Sequence, residues 1–517
     1  NVLTKDASDY LTPNQRLGGA VEGFGATNGA LIGGNIAVAG RTENADVLAF
    51  QEATTQQNVT LGGDTELPLS SLNSKQSFVK GNWYATDATT LTASYSDYYD
   101  RGDFTSNAVR TGLAAGFAAD RRAHAQDTRL EVHHAPTDNA LIDTKVAANL
   151  GTLKITEVVV QNGPTKGRRD ETRFDTNSVN AQNTARFNGM GLAHALTIGV
   201  SGQTEEQRGV RPGTSRAELF PNADKTSMGV FAQNEMQRGK WDIIPGLRFE
   251  HYELEGKTLR TKTDDSALTA KLAAGYRLNP ATRIYASLGQ GFRSPLLTEA
   301  FSSGTLGSGR SLIANPNLKP EKSLNTEIGA NHIRSVGLMP SDSLTLRGSV
   351  FYTQLKDLIE RQGVTTTQFQ FRNVAKAYTY GYELAADYQS NSWFGSAALG
   401  HTYGQNETQN QPLLDVPPVK LNTTLGKTTT RSFGTLRTGW SMEAALRQTR
   451  VPRNDLLVGP SKGYITHGLF TQLQPAGYKN IEIGLNVDNV FDKRYRRVTS
   501  FIDETGLDVR ANIKVKF

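Results

Sequence analysis

The last eleven residues of the chain alternate without exception. Val509, Ala511, Ile513, Val515 and Phe517 fall on one face, and Asp508, Arg510, Asn512, Lys514 and Lys516 on the other. A period of two is the strand period. One apolar face ending on an aromatic, set against an almost wholly charged face, suits a closed sheet with lipid outside and a wet lumen inside. The pattern recurs in Asp342–Tyr352, Ser227–Glu235 and Thr282–Phe292. Tight turns at Arg238-Gly239-Lys240 and Asn279-Pro280 alternate with long polar stretches, which matches short periplasmic turns on one rim and long extracellular loops on the other.

Composition fits this reading once the alternation is known. Only 37% of the 517 residues are hydrophobic, and no apolar run is long enough for a membrane-spanning helix. A transmembrane barrel averages its lipid-facing and lumen-facing residues to such a value. The chain has no Cys, in keeping with an oxidising compartment. The net charge of +6 is spread without a basic block, so nucleic acid is not an expected partner. Asn1 opens directly into polar sequence without a signal-peptide pattern. The expected fold class is all-β: a transmembrane antiparallel β-barrel of about 22 strands, formed as a single domain by residues 1–517. The expected long loops are 100–124, 160–172, 206–224, 293–322, 357–378, 404–415, 449–461 and 492–505.

Several stretches resemble a known family. Asn486-Val-Asp-Asn-Val-Phe-Asp-Lys-Arg-Tyr495, followed by a loop and the terminal strand, is similar to the end of TonB-dependent outer-membrane receptors. So is the pair Gly291-Phe-Arg-Ser-Pro295 and Asn315-Pro-Asn-Leu-Lys-Pro-Glu321, which brackets one large loop; its motif residues are Phe292, Arg293, Pro295, Asn315, Pro316, Asn317 and Leu318. The opening Thr4–Leu11, then Gly18-Gly19 and Gly40–Asn44, resembles the barrel start of the haem and haemoglobin receptor branch. The resemblance implies an outer-membrane location in a Gram-negative bacterium, with lipid and lipopolysaccharide as surroundings and Phe517 as the membrane-insertion signal. It also implies uptake driven by the TonB complex acting on an N-terminal plug. Neither that plug nor the short TonB-contacting segment before it falls within this sequence, which starts where the barrel should start.

In the haem branch, the resemblance implies a barrel histidine inside the bracketed loop. Leu296–Ala314 contains no His, Tyr, Met or Cys, the usual side-chain ligands of haem iron. Eight histidines lie elsewhere. His251 alternates with Leu247 and Phe249, and His401 with Ala397 and Leu399, so both are expected to point outward into an interfacial girdle. His133 shares a face with Arg129 and Glu131 and is expected in the lumen, near the periplasmic end. His124 is expected in a long loop and is the leading ligand candidate. Arg293 and Arg310 could pair with haem propionates or siderophore carboxylates. Arg361, Gln368, Gln370 and Arg372 could line the pore mouth. The aromatics Tyr98, Tyr99, Tyr352, Phe369 and Phe371 read as girdle or loop packing. No His-x-x-x-His pair or carboxylate cluster marks a metal centre. Gly459-Pro-Ser-Lys-Gly463 has the letters of a nucleophile elbow but lacks the strand-to-helix context that chemistry needs, and no enzymatic activity is expected.

These observations and the resemblance together lead to a receptor barrel for an iron source. Haem, as a transported ligand rather than a resident cofactor, or a haem-carrying protein, is the leading cargo. A ferric siderophore or other nutrient in the same family, an unplugged passive pore and a surface adhesin are the alternatives.

Overall fold

The computed structural model describes residues 4–105, 118–161, 165–211, 219–305, 311–414, 416–452, 459–498, 500 and 502–517. Among them, 22 antiparallel strands close into one barrel. The first strand, Leu17–Ala26, pairs with the second and also with the last, Asp508–Lys516, which in turn pairs with Ile481–Asp488. The closed ladder therefore leaves no sheet edge, which is what a membrane without backbone hydrogen-bonding partners demands. At the seam Ala20 lies opposite Lys516 and Ala26 opposite Arg510. Gly19 and Phe517 then exchange a reciprocal pair of backbone bonds at 2.9 and 3.0 Å.

The strands are of unequal height. Ile481–Asp488 has 8 residues, whereas Ser343–Gly363 has 21 and Gln368–Gln389 has 22. About 9–11 residues cross a bilayer, so the long strands stand well clear of its extracellular surface. This corrects several expected loops. The 357–378 region is two paired strands with only 364–367 between them. Strands Thr89–Thr105 and Ala118–His134 take up much of 100–124, and strands reach Val210 and Asn406 in the 206–224 and 404–415 regions. The physical reason is shared. Above the membrane a strand faces water on its outer side, so alternating polar residues read as loop while the ladder continues to satisfy the backbone. One extracellular element was not foreseen: the short hairpin Thr60–Leu61 and Thr65–Glu66, bridged to the terminal loop through Leu61 and Thr505.

Outward positions follow from the pleat. Leu150, Val179, Ile198, Val230, Leu268 and Ile328 are each more than half exposed and belong to one lipid-facing belt. Aromatic bands border it. The periplasmic band includes Trp83, the stacked Phe187–His194 pair and the Trp241–Tyr276 pair. The extracellular band includes Tyr352, Tyr378, Tyr380 and Tyr403, with Tyr380 and Tyr403 ring centroids 4.9 Å apart. Amphipathic rings favour these interfacial levels.

Inside, near the periplasmic end, Ala7 and Leu11 of the N-terminal segment pack on Ala37, Ala39 and Leu48 of the wall. Lys80 bonds Asp6 at 2.7 Å, and Asn82 reaches both Asp6 and Asp46.

The periplasmic turn between Arg334 and Ser343 is organised by Asp342. Its carboxylate accepts the Ser335 hydroxyl at 2.7 Å and the backbone N–H groups of Val336, Gly337, Leu338 and Met339. The Ser335 hydrogen bond, joined by the backbone donors, holds this carboxyl well below the usual carboxylate range. A lowered folded-state pKa means that the stabilisation is present at neutral pH. It is lost as pH falls below the unfolded value and through the folded one. Asp342→Ala should leave the barrel assembled and several-fold increase chymotryptic cleavage at Leu338–Met339. Limited proteolysis at neutral pH, where the carboxylate is charged, checks this, and equal cleavage of variant and parent would reject it.

Candidate functional site at the extracellular mouth

The bracketed loop is anchored at both ends. Its short helix, Leu297–Phe301, lies against the inner wall, where Leu297, Ala300 and Phe301 join Ala223, Tyr252 and Leu254 in one buried cluster. Phe301 fits where the wall offers Gly256: a Cβ there would approach its ring to 2.7 Å. Phe292 adds a ring contact to Tyr252 at 5.7 Å.

Arg293 forms the polar half of the anchor. It grips Glu299 through two bonds of 2.9 and 3.1 Å and donates a third to Glu321. Glu299 also accepts the Leu296 N–H, and Glu321 accepts the Ile359 N–H of the tall hairpin, each at 2.8 Å. The guanidinium thus ties helix, loop exit and hairpin together, and most of its donors are committed within the protein. The second motif does the same by different means. The Asn315 side chain donates to the Phe371 carbonyl at 2.8 Å and accepts the Asn317 N–H, while its backbone N–H reaches the Ala300 carbonyl. Pro295 and Leu318 are buried. Beyond the motif, Asn373 bonds both the N–H and the carbonyl of Lys319. Residues 311–313 add a short parallel strand to 368–370.

The mouth residues gather on that hairpin. The Arg361 guanidinium lies 5.4 Å from the Phe369 ring centroid. Gln370 donates to the Ala314 carbonyl at 3.1 Å, and Arg372 donates to Gln370 at 3.0 Å. Gln368 and Arg372 are exposed. Glu360, whose carboxyl burial pushes upward, accepts a bond from Asn406. Arg310 lies outside the described residues.

His124 stands elsewhere. It belongs to strand Ala118–His134, not to a loop. Leu130 and Val132 of that strand are exposed on the lipid side, and the register runs unbroken from them to His124, so an even-numbered spacing places His124 on the outer face. It bonds Asp97 at 2.8 Å. His251 and His401 also face outward, opposite Met228 and Tyr382. His133 faces the lumen near the periplasmic end, bonded to Asp143 at 2.9 Å. His134 and His332 bond Thr89 and Thr282 at the lower rim, and His467 bonds Trp440. By the same alternation these three and His194 are outward, so none of the eight histidines lines the extracellular mouth.

Sequence reasoning did not reach the partners of Arg293, nor a second cluster on the inner wall. There Glu443 bonds Lys420 at 2.6 Å and the Tyr464 hydroxyl at 2.7 Å, and Tyr464 packs on Tyr495 at 4.4 Å. Tyr495 is the final residue of the Asn486–Tyr495 motif, so that motif also folds a loop onto the wall. Its Asn489 side chain bonds the Lys493 N–H and carbonyl, and Asp492 receives the Gly63 N–H.

A closed barrel of this size, with loops pinned over its mouth by these motifs, defines a receptor-type outer-membrane barrel. The chain belongs to the TonB-dependent receptor β-barrel family: residues 4–490 match the family described as "TonB dependent receptor-like, beta-barrel". It is an outer-membrane protein of a Gram-negative bacterium. It is 22% identical to the TonB-dependent heme receptor A of Haemophilus ducreyi, over 99% of this chain and 80% of that protein. It is 24% identical to the Heme/hemopexin utilization protein C of Haemophilus influenzae, over 79% of this chain and 59% of that protein, so it spans less than two thirds of that relative. Its fold is similar to that of the Serratia marcescens hemophore receptor HasR, solved as a double mutant with its hemophore HasA and heme, with a TM-score of 0.84 at 19% identity, covering 99% of this chain and 82% of that one.

Proposed function

We propose that this barrel belongs to a TonB-dependent receptor that takes up haem, presented free or by a carrier protein. The observation that carries the reading is the agreement between relatives named for heme, one of them matched along 99% of this chain, and a mouth built from pinned, polar and aromatic loops. The barrel engages its cargo by surface contact, and its histidines do not bind iron. Seven of the eight histidines face outward and His133 sits at the far end of the lumen, so the iron ligand comes from another residue type, from a plug within the lumen or from the carrier itself. Arg361, Gln368 and Arg372 offer donors at the rim to carboxylates of the cargo.

The test is growth on haem or a haem-loaded carrier as sole iron source, with Soret titration of the full-length protein. A deletion strain should lose this growth, and so should a strain without TonB. His124→Ala should grow as the parent does and leave the Soret band unchanged. Undiminished growth of the deletion strain would reject haem uptake, whereas a lost Soret shift in His124→Ala would reject the outward placement of that residue in the working receptor.

A further inference from the structure

A row of lysines crosses three neighbouring strands above the extracellular tyrosine band. In strands Glu321–Arg334, Ser343–Gly363 and Gln368–Gln389, Lys322 lies directly opposite Lys356, and Lys356 directly opposite Lys376. All three are an even number of residues from the lipid-facing Ile328, Val350 and Leu384 of their own strands, so they share the outer face. We propose that this row is a binding site for the phosphate groups of an anionic lipid in the outer leaflet of the surrounding membrane.

The order of the residues on this face is the first argument. Ile328 and Val350 form an aliphatic rung beside the Tyr382–His401 pair. Tyr352, Tyr380 and Tyr403 form the next, and Gln354, Tyr378 and Gln405 the one above it. The lysines come last, about 13 Å along the strand from the tyrosines and less in height once the strands tilt. Acyl chains, an amphipathic interface and phosphates follow one another in a leaflet in the same order. Arg450 joins the site from its loop, stacking over Tyr403 at 3.6 Å and bonding Gln405 at 2.8 Å.

The second argument is the charge. Like charges directly opposite in a ladder repel, and among the described residues none of these lysines makes an ion pair with a carboxylate. The acid nearest in the row is Glu407, whose N–H bonds the Lys376 carbonyl; one carboxylate does not balance three ammonium groups and Arg450. The other tall part of the wall is built differently. There a similar outward row holds His124, Lys154 and Arg173, and each has its acid: Asp97 at 2.8 Å, Glu171 at 3.0 Å and Asp175 at 2.7 Å. The protein neutralises one basic row internally and leaves the other for an external anion.

The test measures lipid retained by the purified full-length receptor after reconstitution in vesicles of phosphatidylcholine with diphosphoryl lipid A, or with its dephosphorylated form, followed by detergent extraction. The parent should retain the diphosphoryl lipid selectively. Lys322→Gln/Lys356→Gln/Lys376→Gln should retain roughly tenfold less, and the corresponding triple Lys→Arg variant should retain as much as the parent. Heat-modifiable migration establishes that each variant has assembled. Equal retention by the Gln variant, equal retention of the dephosphorylated lipid, or full displacement by millimolar inorganic phosphate would each overturn the proposal.

Discussion

Gly19→Val is expected to abolish barrel closure, while Gly23→Val four residues along the same strand should assemble normally. Both positions face the lipid, as do Leu17 and Val21 between and beside them. Their surroundings differ. A Cβ on Gly19 would lie 2.1 Å from the Ala37 carbonyl oxygen and 2.8 Å from the Phe517 ring, whereas one on Gly23 meets nothing within 4 Å. The obstacle at Gly19 is partly backbone and cannot swing away as a side chain would. Relief requires the first strand to move off the second, which breaks their ladder, or off the last, which breaks the bonds that Gly19 exchanges with Phe517. Ordinary overpacking costs about 1–3 kcal/mol; here it falls on the one junction that converts a sheet into a barrel. Unboiled and boiled samples should migrate alike in electrophoresis for Gly19→Val and differently for Gly23→Val. A folded, heat-modifiable Gly19→Val protein would mean that the seam is not the closing element described above.

The second large effect is expected at Phe301. Removing a buried phenyl ring costs about 3–5 kcal/mol, and this ring is the largest side chain that the loop helix buries against the wall. The loss should be local. The barrel ladder does not involve the helix, so Phe301→Ala should assemble and migrate as the parent does, but its bracketed loop should spend most of its time undocked. If the cargo binds the docked loop, apparent affinity falls with the docked fraction, by as much as about 100-fold for a shift near 3 kcal/mol. Phe301→Leu keeps much of the volume and should lose far less. Two readouts separate the steps: chymotryptic cleavage near Leu296 and Leu297 reports docking, and haem titration reports cargo. Rapid cleavage with unchanged haem binding would remove the loop from the recognition surface and leave the packing account standing.

The barrel was legible because its signal is local. The terminal strand, the turns at Gly239 and Asn279, and the outward placement of His251 and His401 all follow from a period of two within a few residues. The heights of the strands were not. Polar alternation above the membrane around residues 357–378 has the composition of a loop, and only ladder partners distinguish the two. His124 shows the boundary well. Its face was readable from Leu130 and Val132, but the reading stopped where the apolar residues stopped, and a strand continuing into water was taken for a loop. The binding candidates were less legible still. Arg293 finds Glu299 within its own loop and Glu321 at the loop's far end, and no periodicity links the three. The lysine row joins residues 34 and 20 apart in sequence through register alone. Motif resemblance found the two loop brackets without saying what they do; the structure shows them as staples.

Closure through the last strand also sets a timetable. The first strand waits, half-paired, until the strand ending at Lys516 has been made, so the barrel cannot be completed domain by domain as the chain emerges. Contacts of the greatest possible sequence separation form last and are entropically the slowest to find. Until then a long sheet with an apolar face and two bare edges is exposed to aggregation. Such a chain depends on being held apart in transit and on insertion that is simultaneous with its final zippering.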